Sequence, residues 1–382
     1  MVSTTAVMET QFAEQFRDLI KGKDSDDLVR LRAEAFEYFK SVGFPSTREE
    51  DWKYTNVSEI ATAGFEVYNE YEVDDHEISV ETLDFDYRRN GFTALNLAFA
   101  DIQSILIPAG QRNENPFYLG TYAVDGAMQC PHFIYTAEAG SESTIIEIYE
   151  AGAPSLINTA IQIVVGDNAR VTHYRVQKQS VDSFHYGVAE VRLGRDSRYD
   201  STNINLGGAI SRHDIDVKFT AKGGEAFVDG LYMLNGSQHH DTHSIIDHQV
   251  PNCISHQTYK GVLNDTSRGV FNGKVFVREN AHGTDAQQSN KNLLLSDTAR
   301  VDTKPQLEIF NDDVKCAHGA TVGQLEEEEL FYLLTRGLPK TLARNLLTYG
   351  FAEEIINKIK IEAIKKELDD AVLHRLNTKL EG

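Results

Sequence analysis

Hydrophobic positions recur at helical spacing near both ends of the chain. Between about residues 7 and 62, apolar side chains lie three or four positions apart, as in Phe12, Phe16 and Leu19. Helical spacing returns from residue 326, and the last segment carries an apolar stripe from Ile361 to Leu376. Apolar residues at these offsets form one face of a helix. The pattern therefore predicts helical domains at residues 1–62 and 322–382.

The central region, residues 63–321, has a different pattern. Short runs rich in Val, Ile, Tyr, Thr and Phe are separated by Gly, Asn and Asp, which predicts many short strands. Turn-like clusters begin at positions 166, 194 and 222, an even interval of ~28 residues, and a second series places His185 and His213 at the same interval. Later clusters begin at positions 264 and 296, after wider intervals, so we expect insertions there.

This repeat favours a β-solenoid as the core. A period of ~28 residues is too long for one hairpin and suits one coil, which buries its inner face by stacking on its neighbours. An ordinary β-sandwich with regular strand spacing is the alternative. A solenoid also needs covered ends, and the two helical domains are the predicted caps. The sole tryptophan, Trp52, lies in the first of them, where we expect it to anchor a helix to the core.

Charge and cysteine content limit the partners and the compartment. The chain has 37 Lys and Arg against 58 Asp and Glu, a net charge of −21, which disfavours nucleic acid as a partner. Its three cysteines, Cys130, Cys253 and Cys316, form no CxxC pair, which favours a reducing compartment. The acidic N-terminus is unlike a signal peptide, and no apolar run is long enough to span a membrane. We therefore expect a cytoplasmic globular protein that binds neither nucleic acid nor membrane.

Common catalytic motifs do not occur in the sequence. The string nearest to a phosphate-binding loop, GVFNGK from Gly269 to Lys274, has the wrong glycine spacing and is followed by Val275 where Ser or Thr would bind magnesium. Neither a GxSxG elbow nor an HExxH pair is found. We therefore expect no ATP site in this chain and neither serine-hydrolase nor zincin chemistry.

The densest group of ionisable residues lies between His239 and His256. On a strand, alternation puts His239, Asp241 and His243 on one face, and His240, Thr242 and His248 on the other. A metal site needs ligands that converge from one face, or from a neighbouring coil as well. A polar ladder on a solenoid has the same sequence pattern. Both interpretations, a metal site and a structural polar ladder, remain open, and the ladder is favoured.

A thiol and an imidazole lie together in VKCAHGATVGQL at residues 314–325. In an extended strand, Cys316 and His318 point the same way, ~7 Å apart along the chain. A thiolate and an imidazole both suit zinc and iron–sulfur chemistry. Two ligands do not complete a four-coordinate site, so the others would come from elsewhere in the fold or from a second chain. The alternative is a buried cysteine and a hydrogen-bonded histidine at a domain junction.

Three segments resemble the SufB/SufD family of iron–sulfur cluster assembly proteins, and within it the SufD members. They are FPSTREEDWKYTNVSEI at 44–60, QHHDTHSIIDHQVPNCISHQTYKGVL at 238–263 and KPQLEIFNDDVKCAHGATVGQLEEEELFYLLTRGL at 304–338. The last carries KCAHGAT where a SufB chain is expected to have an EHEAT-like string. The resemblance implies a mainly β fold, in which a right-handed parallel β-helix at 63–321 lies between N- and C-terminal helical domains.

The resemblance also implies partners and a role. Family members pair, SufD with SufB, through the ends of their β-helices, and each binds the SufC ATPase through its C-terminal helices. By motif position, His318 resembles the SufD histidine at this interface, where a transient iron–sulfur cluster or iron is shared with SufB, and Cys316 matches the neighbouring cysteine. The chain is thus expected to be a non-catalytic scaffold subunit that keeps no cluster when isolated. Its free β-helix ends favour a homodimer in isolation.

SufC contact is assigned by the resemblance to the C-terminal helical domain. The expected contact residues are Thr335, Arg336, Gly337, Leu338, Leu342, Leu346 and Leu347. Two other functions remain in competition with the scaffold. One is a β-helical enzyme acting on polysaccharide, with Asp214, Asp216 and Asp241 as acids and bases. The other is a purely structural assembly scaffold in which Cys316 and His318 only pack.

Overall fold

The computed structural model describes residues 4–20, 25–68 and 83–376. The N-terminal region contains α1 (Thr4–Leu19), α2 (Asp26–Val42), a 3₁₀ turn (Glu50–Trp52), α3 (Ser58–Thr62), the short strand β1 (Glu66–Val67) and α4 (Gly91–Phe99). The C-terminal region contains α5 (Glu327–Thr335), α6 (Lys340–Ile356) and α7 (Glu362–Arg375). No helix within the described ranges has the length and the apolar character needed to cross a membrane.

Seventeen further strands lie between these regions in two parallel sheets. Sheet A contains β1 with β2 (Asp101–Ile107), β4 (Ala127–Gln129), β5 (Pro131–Ala137), β7 (Leu156–Val165), β9 (Phe184–Leu193), β11 (Ile210–Phe219), β13 (His239–His248), β15 (Arg268–Val277) and β17 (Arg300–Ile309). Sheet B contains β3 (Phe117–Ala123), β6 (Glu142–Ala151), β8 (Arg170–Gln177), β10 (Arg198–Asn205), β12 (Glu225–Leu234), β14 (Ile254–Leu263), β16 (Thr284–Leu294) and β18 (Val314–Gly323).

The two sheets form a parallel β-solenoid of about eight coils, as the repeat predicted. Each coil contributes one strand to sheet A and the next strand to sheet B. Successive register partners in sheet B are Glu142, Arg170, Arg198 and Glu225, whose spacing along the chain matches the interval of the turn-like clusters. The repeat interval is therefore the length of one coil, and the β-sandwich alternative is wrong.

The predicted insertions are wrong for the interval between the clusters at 222 and 264, but the later interval does contain one, because Arg268 and Arg300 are register partners 32 residues apart. The clusters at 166, 194 and 222 follow strands of sheet A, whereas those at 264 and 296 follow β14 and β16 of sheet B. The wide interval between the clusters at 222 and 264 therefore joins two different corners of the solenoid. The histidine series is likewise out of register, because His185 lies beside Ser211, and Gly187 lies beside His213.

Left-handed residues at one corner explain the turn-like clusters. The backbone has a positive φ after successive strands of sheet A, at Asn168 (58°), Asp196 (53°), Gly223 (78°) and Asn252 (57°). Glycine adopts this conformation without a steric cost, and Asn and Asp tolerate it better than other residues. The recurring Gly, Asn and Asp residues are thus a requirement of the corner geometry, repeated once per coil.

The helical regions cover faces of the solenoid. Phe12, Phe36 and Phe99 of the N-terminal region share a core with Tyr186 and Val188 on the outer face of sheet A. On the other side, α6 and α7 pack against the outer face of sheet B through a second apolar cluster. Neither region closes the end formed by β17 and β18, so the prediction of two capping domains is wrong at this end.

Trp52 anchors the N-terminal region to the solenoid, as predicted. Its side chain is 3% exposed and stacks on Phe92 and Tyr186, with ring centroids 5.5 and 5.9 Å away. The Arg212 guanidinium lies 3.8 Å from the centre of the same ring. The tryptophan therefore joins α4 to two strands of sheet A.

Candidate functional site

The last coil of the solenoid has open edges. Among the described strands, β17 pairs with β15 alone and β18 pairs with β16 alone. Most of β18 is exposed, and this end also exposes three large apolar side chains, Ile309, Phe310 and Val322. An edge strand of this kind presents unpaired N–H and C=O groups that pair readily with another chain. The end of the solenoid is therefore the most prominent candidate interaction surface.

Cys316 and His318 lie side by side on β18, on the strand face that looks into the solenoid. Cys316 packs against the interior apolar cluster and is half-buried, whereas His318 is exposed. Burial raises the pKa of the Cys316 thiol, although a backbone hydrogen bond involving Ala286 opposes this effect. The thiol thus favours its protonated form until a metal ion or a base displaces the proton. The structure brings the two predicted residues together at the mouth of the interior.

Two glutamines lie beneath His318 inside the solenoid. Gln288 on β16 is the register partner of His318, and Gln257 on β14 is the register partner of Gln288. Gln288 is 3% exposed, and its Nε2 donates a 2.7 Å hydrogen bond to Gln257 Oε1. Neither residue was predicted from the sequence. Counting back the ~28-residue repeat from His318 reaches Asn290, because the coil between Gln288 and His318 is longer than the repeat.

The segment from His239 to His248 forms a polar ladder that holds the N-terminal region. The Thr55 hydroxyl donates a 2.6 Å hydrogen bond to Asp241 and lies 2.8 Å from His239 Nε2. Arg212 and His243 each lie 3.1 Å from Asp241. Burial favours the neutral acid, but the charges of His243 and Arg212 hold the pKa of Asp241 well below its usual range. The outer face of this strand thus binds protein groups.

The three carboxylates considered for polysaccharide chemistry are all bound to arginines. Asp214 accepts a 2.8 Å hydrogen bond from Arg212, Asp241 pairs with the same arginine, and Asp216 pairs with Arg89. Despite burial, the charge of Arg212 lowers the pKa of Asp214. A glycosidase acid needs a raised pKa, so Asp214 and Asp241 are unsuited to that role.

The residues described by the structure contain no group of three or more His, Cys, Asp or Glu side chains that could hold a metal ion. Among these described residues, Cys316 and His318 therefore form at most half of a four-coordinate site. The remaining ligands of such a site would have to come from outside these ranges.

The segment predicted to bind SufC lies at the junction of α5 and α6. Thr335 ends α5, Arg336 and Gly337 are exposed in the connection, and Leu338, Leu342, Leu346 and Leu347 are half-buried. The helix just before this segment, α5, has no buried residue and exposes Phe331 (68%), Tyr332 (56%) and Leu334 (37%). This exposed surface of α5 was not predicted. It lies between the segment predicted to bind SufC and the last coil of the solenoid along the chain.

Family comparisons agree with this architecture. A family model described as "SUF system FeS cluster assembly, SufBD core domain" matches residues 120–351, and "SufBD protein N-terminal region" matches residues 7–83. An iron–sulfur cluster assembly SufBD family protein of Synechocystis is 30% identical, with 97% of each chain covered. The iron–sulfur cluster assembly proteins SufD of Escherichia coli (34% identical, 74% of this chain and 67% of that protein) and of Bacillus subtilis (30%, 62% and 55%) are also similar.

The core match runs from within β3 to β18 and continues into α6, so it includes both open edge strands and the two residues Cys316 and His318 on β18. The N-terminal match begins within α1 and includes the segment that carries Trp52 and Thr55. The chain belongs to the SufBD family of iron–sulfur cluster assembly proteins.

Proposed function

We propose that this chain is the SufD-like scaffold subunit of a cluster-assembly complex. It pairs with SufB through its last coil, contributes Cys316 and His318 to the surface on which a transient iron–sulfur cluster is built, and docks the SufC ATPase through its C-terminal helical region. The observation that carries the proposal is the open last coil, in which the edge strand β18 presents a thiol and an imidazole on one strand face.

Pairing with a second solenoid suits the chemistry of this end. Strands β17 and β18 offer rows of backbone donors and acceptors, and a partner strand added to either edge would satisfy them. The exposed Phe310 and Val322 would then be removed from water. A second copy of this chain has the same edges, and a homodimer is therefore expected only when SufB is absent.

Iron and sulfide are the substrates of the proposed site. Cys316 supplies a soft sulfur ligand and His318 supplies a nitrogen ligand, a pair that suits iron–sulfur chemistry. Since the two residues complete no site alone, the cluster assembles only when the partner adds its own ligands. The chain is in this sense a non-catalytic scaffold that retains no cluster once the partner leaves.

SufC docking is supported by the exposed surface of α5 and by the α5–α6 connection. Phe331 and Tyr332 are large aromatic residues more than half exposed, and such residues are enriched at protein interfaces. The sequence lacks a phosphate-binding loop, so the ATPase activity belongs to the partner. The three cysteines are free thiols, which favours work in a reducing compartment such as the cytoplasm.

The assignment of the site is tested by cluster assembly in a complex reconstituted with SufB and SufC. His318→Ala should leave the complex assembled but lower the ATP-dependent rate of cluster formation from iron and sulfide. His282→Ala is the matched control, because His282 is exposed at the corner before β16. Wild-type cluster spectra from a Cys316→Ala, His318→Ala double variant would refute the proposed ligands and favour the purely structural scaffold.

The two docking surfaces are tested separately by capture of each partner. Val322→Lys places a charge on the open edge and should weaken SufB capture, while Phe331→Ala with Tyr332→Ala should weaken SufC capture. Val181→Lys serves as the control, because Val181 is also exposed (60%, against 50% for Val322) but lies at a corner between β8 and β9. If Val322→Lys captures SufB as well as Val181→Lys does, the last coil is not the pairing surface.

A further inference from the structure

An amide oxygen lies buried below His318 without a hydrogen-bond partner. In the described part of the chain, Gln288 Oε1 contacts no donor, although Gln288 Nε2 is bonded to Gln257 in the coil before. A buried acceptor left unsatisfied destabilises the folded protein, because it has lost its hydrogen bond to water. Such an oxygen in a native protein requires an explanation, and one explanation is a partner that arrives when the protein performs its function.

The position of Gln288 is fixed by its surroundings. Its amide packs against Gly273 on the opposite sheet, where the Cβ of any larger residue would collide with Gln288 Nε2. The hydrogen bond to Gln257 holds Nε2 on the side of the preceding coil, and the amide geometry puts Oε1 on a different side of Cδ. Neighbouring strands in a sheet lie ~4.8 Å apart, so the next side chain above Gln288 on the same face is His318.

His318 has the donor that this oxygen lacks. A neutral imidazole carries one N–H donor and one nitrogen with a free lone pair. A histidine that binds a metal ion through one nitrogen almost always donates the other N–H to an oxygen, which fixes the tautomer and the orientation of the ring. His318 is exposed and at the end of the stack, so its ring is otherwise free to turn.

We infer that Gln288 is a positioning residue for His318: its Oε1 accepts the ring N–H and leaves the other ring nitrogen directed out of the solenoid to bind iron. This inference rests on the proposed function, because it assigns a partner to the same ligand. It adds that the site is prepared within this chain before SufB binds. Removing such a partner typically lowers metal affinity or activity 10- to 100-fold.

The test compares substitutions that keep or remove the acceptor. Gln288→Met preserves the length of the side chain without an oxygen, whereas Gln288→Glu keeps an acceptor at the same place. Gln177→Met is the control for loss of a buried glutamine, because Gln177 is fully buried on β8, four coils away. The first readout is the ¹⁵N chemical shifts of the His318 ring in the full chain labelled with [¹⁵N]histidine, assigned with His318→Asn. The second is the rate of cluster formation from ferrous iron and sulfide with SufB and SufC.

We expect Gln288→Met to move the two ring nitrogen shifts towards those of an averaged tautomer and to lower the rate about tenfold. Gln288→Glu should retain both the single tautomer and the rate, and Gln177→Met should match the wild type. If Gln288→Met matches the wild type in both readouts while His318→Ala lowers the rate, the inference is refuted and the proposed function stands; a water molecule would then be the partner of Oε1. If His318→Ala has the wild-type rate, the proposed function fails, and the ring spectrum alone decides whether Gln288 orients His318.

Discussion

Arg212 is the residue through which the solenoid holds the N-terminal region, and Arg212→Met should loosen that attachment. The guanidinium is 4% exposed and lies over the Trp52 ring. It donates hydrogen bonds to the backbone oxygen of Asp51 (2.5 Å), to Asp214 (2.8 Å) and to Asp241 (3.1 Å). Methionine fills part of the same volume but provides neither the charge nor the donors.

The expected loss follows from the two buried carboxylates that Arg212 neutralises. Removing one partner of a buried ion pair costs about 3–5 kcal/mol, because the other charge stays buried. The stacking of Arg212 on Trp52 adds about 0.5–2 kcal/mol. Asp214 keeps Arg89 nearby and Asp241 keeps His243, which offsets part of the sum. We therefore expect Arg212→Met to lower the free energy of unfolding of this region by about 3–5 kcal/mol.

Trp52 is itself the probe for this experiment, since it is the only tryptophan in the chain. Urea unfolding followed by tryptophan fluorescence reports the N-terminal attachment, and circular dichroism reports the strands of the solenoid. With a slope of about 1–3 kcal/mol per molar urea, the fluorescence midpoint should fall by about 1 M or more. The circular dichroism midpoint should fall less, because the coils remain stacked on one another.

Arg268→Met is the matched control for Arg212→Met. Arg268 also lies on sheet A, pairs with Asp302 and lies over an aromatic ring, that of Tyr54, but it is 40% exposed. Exposed ion pairs contribute about 0–1 kcal/mol, so its midpoint should shift by a fraction of the change for Arg212→Met. Equal midpoints for the two variants would refute the claim that burial makes Arg212 the dominant contact.

Three further outcomes are expected. Gly230→Ala should lower the thermal midpoint by an amount equivalent to about 1–3 kcal/mol, because the added Cβ would collide with the Tyr259 ring. Gly319 has open space around it, so Gly319→Ala should have no effect in the same melting experiment. Burial lowers the pKa of His132 from 6.5 to about 4, so between these pH values the unfolded chain binds more protons than the folded one. The free energy of unfolding therefore falls as the pH drops through this range, by about 1.4 kcal/mol per pH unit from this residue. Urea titrations at pH 5 and 6 should show that His132→Gln removes this contribution to the pH dependence. In the native chain, iodoacetamide should modify Cys316 before the two buried cysteines, and SufB should slow the modification of Cys316. Mass spectrometry of timed samples measures these rates, and equal rates at all three cysteines would contradict the assigned exposure.

The solenoid was predictable because its corners require particular residues. A left-handed backbone conformation at each corner favours Gly, Asn or Asp, so these residues recur in the sequence at an interval equal to the coil length. These residue types did not predict at which corner of the coil each cluster lies. Both corners select the same residue types, and the clusters beginning at Gly166 and Asn264 therefore looked like members of one series. Only the strand pairing separates them.

The candidate site was half predictable for a related reason. Alternation along a strand is local, so it placed Cys316 and His318 on one face correctly. Gln288 is a full coil away from His318 in sequence and adjacent only through the register of β16 and β18. The coils near this end are slightly longer than the repeat seen earlier in the chain, and that drift hides the relationship.

The position of His318 on the last coil explains how the same residue type has two roles in one solenoid. At two interior histidines both ring nitrogens have partners: His240 contacts Ser211 and Thr242, and His173 contacts Tyr199 and Glu147. Such a ring has no nitrogen left for a metal ion. His318 has a neighbouring coil on one side only, so one nitrogen can be held from within while the other stays available. In the proposed complex, a SufB side chain that hydrogen-bonded this second nitrogen would turn His318 into another structural histidine. The partner position facing it must therefore provide a metal ligand or leave the nitrogen free.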